Sequence, residues 1–392
     1  MASDDVRSEA SKPPFVIPDI PIAGPEATGD NFPEQMAPLI FSAWYVIAKS
    51  EDAGRTLSPI RVLAQPLVFY RTEAGKPVVL DDRCAHRRFP LSKGRLKGDR
   101  IECGYHGYTY EKSGQCIWAP GTPVEQELKK GLPFGVRSYP CAERGGWLWV
   151  WMGDPTRADP CEIPLPDIGG NCAVKLYGYK LNPANYMLLI ENLLDLTHVH
   201  FLHGASDLTY AAGSLPREAP SPVNGVSWMK EIPQTETGLL GSMCGDDPER
   251  LVRMAEDSTQ YGPSLNIGRQ SRSPLPGDIE KCKLEKFVVA HALTPLDHRN
   301  THQFFMLCYS DPLVIDPQLV LKQTENVVFE QDAEAVLFMQ RFIDEDNRPG
   351  RVEFNMACDR FGMAMRKILR VMKERELAEL ESVGRAVRRA QP

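Results

Sequence analysis

The sequence predicts an α+β protein with an N-terminal antiparallel β domain and a C-terminal domain in which a central antiparallel sheet packs with helices. Residues 38–155 contain short runs rich in β-branched and aromatic residues, such as QPLVFYRT and GWLWVWMG, separated by Gly, Pro and Asp. This spacing is typical of a small antiparallel β domain. Residues 156–392 mix strand-like runs, such as KFVVAHALTP and HQFFMLCYS, with helical periodicity near 183–203, 318–343 and 358–389, which predicts a layered α+β domain.

The segments outside these elements complete the organisation. Residues 1–37 are rich in Pro, Gly and acids and hold few paired apolar positions, so we expect an extended N-terminal arm. Residues 154–167 (DPTRADPCEIPLPD) are expected to link the two domains. The last helix should pack one apolar face against the protein body or a neighbouring subunit. That face consists of Phe361, Met365, Ile368, Leu369 and Met372.

Composition limits the classes of function. A chain of 392 residues, 42% hydrophobic and 25% charged, has enough apolar material for two domains. The net charge of -7 argues against nucleic-acid or anionic-membrane partners, because both need a concentrated positive surface. No run approaches the roughly 18 apolar residues of a membrane span, and the N-terminus lacks the apolar core of a signal peptide. We therefore expect a cytoplasmic protein without a membrane partner.

Two short loops each contribute one cysteine and one histidine. They read Cys84-x-His86 and Cys103-x-x-His106, with 16 residues between His86 and Cys103. Thiolates and imidazoles at this spacing can point to one centre from two facing loops. Zinc is the alternative occupant, but zinc ribbons usually repeat Cys-x-x-Cys. The pattern is the Rieske arrangement, in which two cysteines bind one iron of a [2Fe-2S] cluster and two histidines bind the other. It predicts that residues 38–155 form a Rieske domain.

The other eight cysteines stand singly and far apart in the sequence. In a long chain without export signals, isolated cysteines are more often buried thiols than disulfide partners. We therefore expect small core residues at these positions. They are Cys116, Cys141, Cys161, Cys172, Cys244, Cys282, Cys308 and Cys358.

A second histidine pair lies in the apolar helical stretch ENLLDLTHVHFLHGAS, residues 191–206. Positions five apart on an ideal α-helix diverge by about 140°, so His198 and His203 can share a ligand only if the helix widens or ends between them. Gly204 favours an ending. Taken alone, His198 would be expected to be a satisfied core histidine, and His200, which points elsewhere, a structural one. As a pair, His198 and His203 are candidate metal ligands.

Two histidines leave a mononuclear site one ligand short, and oxygen-activating iron(II) is usually completed by a carboxylate that leaves positions open. The helix near 318–343 has an apolar stripe at steps of three and four. Asp332 is the one acid on it, whereas Glu325, Glu330 and Glu334 fall off it. A buried carboxylate is costly unless it is paired or bound to metal, so we predict that Asp332 is the third ligand. The stripe is Leu321, Thr324, Val328, Asp332, Ala335, Met339 and Phe342.

With CAHRRFPLSKG, CGYHGYTY and NLLDLTHVHFLH in the same order, the chain resembles the oxygenase component of the Rieske non-heme iron oxygenases over roughly residues 38–375. It is most similar to the single-subunit group of vanillate O-demethylase and dicamba monooxygenase. The resemblance implies one Rieske [2Fe-2S] cluster and one mononuclear non-heme Fe(II) per chain. It also implies a homotrimer in which Asp195 bridges His106 of a neighbouring subunit to His198, with Asn192 beside the iron ligands.

The resemblance further implies a function. The chain would be the terminal oxygenase component that uses O2 and electrons from a separate ferredoxin or flavin-containing reductase, originating in NAD(P)H, to monooxygenate or O-/N-demethylate an aromatic acid or related small ring compound. Hydroxylation of a methyl group next to oxygen or nitrogen gives a product that loses formaldehyde. An aromatic ring cis-dihydroxylating dioxygenase is the alternative within the family. A Rieske electron carrier without catalytic iron and a zinc-bound binding module are alternatives of other classes.

Two weaker features concern substrate and partner. His291 lies in HALTPLDHRNTHQFF, and the resemblance gives a histidine near this position a role toward a substrate carboxylate, with a core histidine as the alternative. The loop between His86 and Cys103 carries six basic and two acidic residues. It could steer an acidic ferredoxin to the cluster, although a solvated loop explains these charges equally well.

Overall fold

A computed structural model of the chain describes residues 36–121, 131–166, 168, 172–203, 216–236, 244–245, 247, 249–275, 285–346 and 353–390. Residues 1–35 of the predicted arm lie outside the described residues. The last two residues of the predicted arm, Met36 and Ala37, are only 3% and 2% exposed. This end of the arm therefore packs in the core. The boundaries between the arm and the two domains stay predictions.

The N-terminal part is built from short antiparallel strands, as the sequence predicts. They are β1 Trp44–Lys49, β2 Ser58–Val62, β3 Gln65–Arg71, β4 Pro77–Asp81, β5 Arg95–Lys97, β6 Arg100–Glu102, β7 Thr109–Tyr110, β8 Cys116–Trp118, β9 Ser138–Tyr139, β10 Cys141–Arg144 and β11 Trp147–Trp151. They form three sheets with the orders β1-β11-β10, β2-β3-β4-β9 and β5-β6-β7-β8. Aromatic and β-branched residues suit such strands, and every residue of β11 (WLWVW) is buried.

The C-terminal part contains one large antiparallel sheet. Its strands are β12 Val174–Asn182, β13 Arg217–Glu218, β14 Gly225–Glu236, β15 Leu251–Tyr261, β16 Leu265–Pro274, β17 Glu285–Pro295 and β18 Thr301–Tyr309. The order in the sheet is β12-β18-β17-β16-β15-β14-β13. Because β12 pairs with the last strand, the chain closes back on the sheet edge that β18 would otherwise leave open. The predicted α+β class is confirmed.

Helices cover this sheet and carry several of the candidate ligands. They are α1 Tyr186–Leu194, α2 His198–Leu202, α3 Pro317–Gln323, a π-helical turn Thr324–Val328, α4 Phe329–Glu345 and α5 Arg360–Ala390. Asn185 caps α1 by accepting a hydrogen bond from the backbone N–H of Met187, as N-cap residues do. The predicted inner face of α5 is confirmed, with Phe361, Met365 and Leu369 buried. None of the described helices is long and apolar enough to cross a membrane.

The predicted apolar stripe of the helix near 318–343 is wrong in register. Met339 and Phe342 are 44% and 68% exposed, whereas Val336 and Ile343 are buried. In α4 each buried position apart from Asp332 lies one residue after the predicted position. The reason is that the π-helical turn Thr324–Val328 inserts an extra residue into the helical repeat. Asp332 is still buried, at 8% exposure, because it lies next to the observed buried face as well as on the predicted one.

The reading of the single cysteines as separate core residues is also corrected. Cys172 and Cys308 form a disulfide whose Cα atoms are 5.7 Å apart, across a sequence separation of 136. Cys161 is exposed, whereas Cys116 is buried as expected. The two cysteines meet because Cys172 lies just before β12, which pairs with β18, and β18 contains Cys308. This pairing joins distant parts of the chain, so the local sequence carries no signal for it.

The two parts of the chain share one continuous hydrophobic core, and the β2–β3 turn anchors them to each other. The backbone N–H groups of Leu63 and Ala64 donate to the carbonyls of Pro295 and Leu296, each at 2.7 Å. Both turn residues have positive φ values, 50° and 62°, as a tight hairpin turn requires. The side of the sheet formed by β17 and β18 is thereby fixed against the N-terminal β region.

Candidate metal centres

The two Cys/His loops face each other, as the spacing predicts. Cys84 and His86 follow β4, and Cys103 and His106 follow β6. Both cysteines are 2% exposed, and the two imidazole centroids lie 4.8 Å apart. The cysteines therefore form the inner side of the site and the histidines its outer side, with His106 exposed.

The chemistry of these donors fits a [2Fe-2S] cluster. Nδ1 of His86 is buried and has no hydrogen-bond partner among the described residues, which is costly unless a ligand satisfies it. The pKa of His86 is lowered, first by lost hydration and then by the neighbouring His106 and Arg87. A neutral imidazole with a free Nδ1 is what cluster ligation needs. The His86 ring also stacks on Tyr108 at 4.7 Å between centroids.

Tyr110 is a member of this centre that the sequence analysis missed. Its hydroxyl lies 3.1 Å from Sγ of Cys84 and accepts the backbone N–H of Ala85 at 3.1 Å. Because the hydroxyl oxygen already accepts the N–H of Ala85, the hydroxyl can donate its own proton to the Cys84 sulfur. Hydrogen bonds to cluster sulfurs tune the reduction potential. The third Tyr of CGYHGYTY was the available signal, but the direction of its side chain follows only from the β6–β7 hairpin.

The second centre forms where α1 ends. Asp195 is the C-cap of α1, and α2 runs only from His198 to Leu202 with His203 as its C-cap. The helix therefore ends directly before His203, between the two histidines, as predicted. Nε2 of His198 and Nε2 of His203 lie 3.5 and 3.2 Å from Oδ1 of Asp332.

The spacing of these three donors fits one metal ion. Two donors bound at about 2.1 Å and at right angles lie about 3.0 Å apart, close to the separations between Asp332 and each histidine. Two imidazoles and one carboxylate form the ligand set of non-heme iron(II) sites that keep positions open for oxygen. The three side chains all have ligand atoms within 4.8 Å of one another.

The other ring nitrogens of the two histidines are oriented by neighbours. Nδ1 of His198 is 2.5 Å from the backbone carbonyl of Asp195, and Nδ1 of His203 is 2.8 Å from Oε1 of Gln331. Because these oxygens only accept, both Nδ1 atoms carry the proton and both Nε2 atoms face Asp332. Gln331 was missed by the sequence analysis, and its position beside Asp332 was the only signal.

Asn192 and Asp332 are linked directly. The Asn192 amide donates to Oδ1 of Asp332 at 3.1 Å and lies 3.4 Å from Nε2 of His198. Burial acts to lower the pKa of His203, but its hydrogen bonds to Asp332 and Gln331 outweigh burial and raise it. A metal ion needs the neutral imidazole, so it would compete with protonation of His203.

Asp195 contacts His198 through its backbone carbonyl rather than through its carboxylate. The carboxylate accepts the backbone N–H of Thr197 at 2.9 Å, and it lies within 4.8 Å of Cys358 and Asp359. The structure thus shows a contact between Asp195 and His198 through the backbone, and the bridge to another subunit stays a prediction. Cys358 and Asp359, which begin the approach to α5, were not expected near Asp195.

His291 lies on β17, on the side of the sheet that faces α4. It is 3% exposed, and its ring centroid is 5.3 Å from that of Phe329. Asn266 is directly opposite His291 on β16, so both side chains point to the same side of the sheet. His302 belongs to another environment, because Tyr179 and the carbonyl of Arg61 occupy its two nitrogens.

Comparisons with known proteins agree with both centres. Residues 43–140 match the Rieske [2Fe-2S] domain, and residues 183–375 match the vanillate O-demethylase oxygenase C-terminal domain. The putative toluene-4-sulfonate monooxygenase system iron-sulfur subunit TsaM2 of Comamonas testosteroni is 39% identical over 45% of this chain and 50% of its own length. The dicamba O-demethylase oxygenase component of Stenotrophomonas maltophilia is 36% identical over 52% and 59%. The chain thus spans about half the length of the curated relatives it matches.

The fold is similar to solved structures over most of the chain. A crystal structure of dicamba monooxygenase bound to 3,6-dichlorosalicylic acid has a TM-score of 0.77 and 24% identity, covering 87% of this chain and all of that one. The Cys/His loops lie within the first matched domain, and His198, His203 and Asp332 lie within the second. The chain belongs to the family of proteins that join a Rieske [2Fe-2S] domain to an oxygenase domain of the vanillate O-demethylase type.

Proposed function

We propose that the chain is the terminal oxygenase component of a Rieske-type system that monooxygenates or demethylates a small aromatic acid. One observation carries this proposal. His198, His203 and Asp332 bring two imidazoles and a carboxylate within 4.8 Å of one another, in a chain that also holds the four Rieske ligands. An electron carrier would need only the cluster, and a zinc-binding module would need neither the second site nor its open positions.

The ligand assignments follow the geometry. Cys84, His86, Cys103 and His106 would hold the [2Fe-2S] cluster, and His198, His203 and Asp332 would hold the mononuclear iron. When bound, that iron supplies the O2 chemistry, and the protein supplies binding and orientation. The chain's own contributions are the fixed Nδ1 protons of the two histidines and the Asn192 amide, which holds Oδ1 of Asp332 in place.

Electron supply requires partners, and we propose a homotrimer that receives electrons from a ferredoxin or flavin-containing reductase. His106 is exposed and Asp195 is half-buried, so each can be reached from another subunit. We propose that Asp195 of one subunit meets His106 of the next, beside the iron site. The source of these electrons, NAD(P)H, is a cytoplasmic reductant, which supports a cytoplasmic location.

The substrate class follows from the polar groups near the iron ligands. His291 and Asn266 are side by side on the sheet, and both are at most 3% exposed. Two such groups can hold a carboxylate or sulfonate in an otherwise apolar site. Monooxygenation or demethylation is favoured over ring cis-dihydroxylation, because the curated relatives carry the names O-demethylase and monooxygenase.

Turnover with candidate substrates tests this function. The purified chain, loaded with iron and supplied with NADH and a surrogate ferredoxin and reductase, would be given methoxybenzoates and methylbenzenesulfonates. We expect O2 uptake with release of one formaldehyde per demethylated methoxybenzoate, or one hydroxymethyl product per arylsulfonate. A cis-diol product would instead support the dioxygenase alternative, and reduction of the cluster without O2 uptake on any compound would support the electron carrier.

His291→Ala is expected to raise the KM for 3-methoxybenzoate by about tenfold, with kcat changed by less than about threefold. The reason is that a hydrogen bond to a charged group contributes about 1.5–3 kcal/mol, and the carboxylate is distant from the reacting methyl group. Methoxybenzene, which lacks the carboxylate, serves as the matched control and should show no change in KM. An unaltered KM for 3-methoxybenzoate would return His291 to the role of a core histidine.

A further inference from the structure

A row of buried amides leads to His291 from the β12 edge of the sheet, along the face on which His291 lies. Nδ2 of Asn182 is 2.9 Å from Oε1 of Gln303, and Nε2 of Gln303 is 2.9 Å from Nδ1 of His291. The three residues are 0%, 5% and 3% exposed. They lie on β12, β18 and β17, which are adjacent in the sheet. This row of hydrogen-bonded side chains therefore crosses three strands and ends at the candidate substrate site.

The strand register explains why these side chains meet. Gln303 is directly opposite Lys180 on β12 and Leu293 on β17. Asn182 and His291 are each two residues from those positions, so both are diagonal neighbours of Gln303. Diagonal pairs are within reach of long polar side chains. Gln303 thus lies between Asn182 and His291 and contacts both.

The direction of the hydrogen bonds follows from the cost of unpaired groups. Oδ1 of Asn182 has no hydrogen-bond partner among the described residues. If both amides were turned around, the Asn182 NH2 group would be left unpaired instead, and orphaned buried N–H groups are rarer than under-satisfied carbonyl oxygens. Asn182 therefore donates to Gln303, and Gln303 donates to Nδ1 of His291. Nδ1 must then be an acceptor without a proton.

The charge of His291 is settled by its surroundings. Burial lowers the pKa of His291 to about 4, against the opposing effect of the Asp332 carboxylate. The ring is neutral at neutral pH, and its single proton is on Nε2. The contact between the His291 and Phe329 rings, with an interplanar angle of 70°, limits rotation of the imidazole. Of the residues that the structure describes, none accepts a hydrogen bond from Nε2.

We propose that Gln303, backed by Asn182, is a positioning residue that holds His291 in the tautomer protonated on Nε2. The site thereby presents a neutral N–H donor to its substrate. This selects substrates with an acceptor oxygen at that end, such as a carboxylate, sulfonate or carbonyl group, and disfavours substrates that present an N–H or O–H donor there. The substrate contact of His291 rests on the proposed function, whereas its tautomer does not.

The tautomer can be observed directly. Joint neutron and X-ray diffraction from the deuterated, metal-loaded protein at pH 7 would locate the exchangeable deuteron on His291. We expect a deuteron on Nε2, none on Nδ1, and the deuterated amide of Gln303 directed at Nδ1. A deuteron on Nδ1 would overturn the proposal, whatever the substrate proves to be.

A Gln303→Met variant tests the consequence for binding. Methionine keeps the length of the side chain but cannot donate to Nδ1, so both tautomers of His291 become populated. We expect the Kd of 3-methoxybenzoate to rise about twofold, because the apparent Kd is the intrinsic Kd divided by the fraction of His291 that is protonated on Nε2, while the iron content and the Rieske spectrum stay unchanged. Gln318→Met, at an exposed position of α3, is the matched control.

The two measurements separate the possible failures. A deuteron on Nε2 together with an unchanged Kd in Gln303→Met and in His291→Ala would leave the positioning role standing and refute the substrate contact. A raised Kd in His291→Ala but not in Gln303→Met would refute the positioning role. Loss of binding that accompanies loss of iron would show that Gln303 acts on the fold, and this result also counts against the proposal.

Discussion

Asp332→Ala is expected to lose the mononuclear iron and to keep the [2Fe-2S] cluster. Asp332 supplies the only negative charge among the three candidate ligands, and both histidines face its Oδ1 at 3.5 Å or less. Loss of a neighbour that merely orients a ligand typically costs 10- to 100-fold in metal affinity, so loss of the ligand itself should cost at least about 100-fold. Turnover should fall to background, because two imidazoles alone hold iron(II) weakly.

The measurement is iron per chain together with the electron-resonance signal of the reduced cluster. In Asp332→Ala the iron content should fall by about one per chain, while the Rieske signal keeps its shape and intensity, since the cluster ligands lie in the N-terminal β region. Glu334→Ala, which removes an exposed acid two residues along α4, is the control and should change neither value. Retained iron with full activity in Asp332→Ala would overturn the choice of ligand.

Asp195→Asn is expected to leave both metal centres loaded and to reduce turnover by about 100-fold or more. Asparagine keeps an oxygen for the backbone N–H of Thr197, and the carbonyl that accepts the proton of His198 belongs to the main chain. The iron site should therefore survive. The variant removes the negative charge that would accept a hydrogen bond from His106 of the neighbouring subunit, and charged hydrogen bonds are about twice as strong as neutral ones.

Single-turnover kinetics test this bridging role. The pre-reduced protein with bound 3-methoxybenzoate would be mixed with O2, and reoxidation of the cluster would be followed by its absorbance. We expect slow reoxidation in Asp195→Asn, whereas Asp359→Asn, a matched change in a carboxylate within 4.8 Å of Asp195, should remain within about threefold of the unmodified protein. Unchanged reoxidation in Asp195→Asn would remove the carboxylate from the electron path.

The features that could be predicted from sequence are those encoded by short spacings. Cys84 and His86, like Cys103 and His106, sit in tight loops whose ends are fixed by neighbouring strands, so their residue types and spacing were enough. The pair His198 and His203 likewise required only that a helix end between them. Local geometry dominates in these cases, and the α+β class followed from the same kind of periodicity.

Asp332 was predicted through a stripe that is wrong in register. The helical periodicity of the sequence contains no signal for the π-helical turn Thr324–Val328 that precedes α4, since such single turns are rare interruptions of an α-helix. Asp332 survived the error because a shift of one residue leaves it at the edge of the buried face, whereas Met339 and Phe342 became exposed. The candidate ligand was thus reached from an incorrect face.

The remaining site residues depend on contacts between distant strands. Asn182 and Gln303 are 121 residues apart and meet only because β12 pairs with β18. Gln331 reaches His203 across 128 residues. Cross-strand register is set by the whole sheet, so polar residues of this kind look like ordinary strand or helix residues in the sequence. The disulfide between Cys172 and Cys308 was missed for the same reason.

The most direct test of a two-centre oxygenase is the iron content of the purified, reconstituted chain, measured with acid-labile sulfide and the electron-resonance spectrum of the reduced protein. On this account two irons and two sulfides form the cluster, and one further iron would be held by His198, His203 and Asp332. We predict close to three irons and two sulfides per chain with a Rieske signal. Two irons and two sulfides with the same signal would identify an electron carrier and contradict the presence of a catalytic iron.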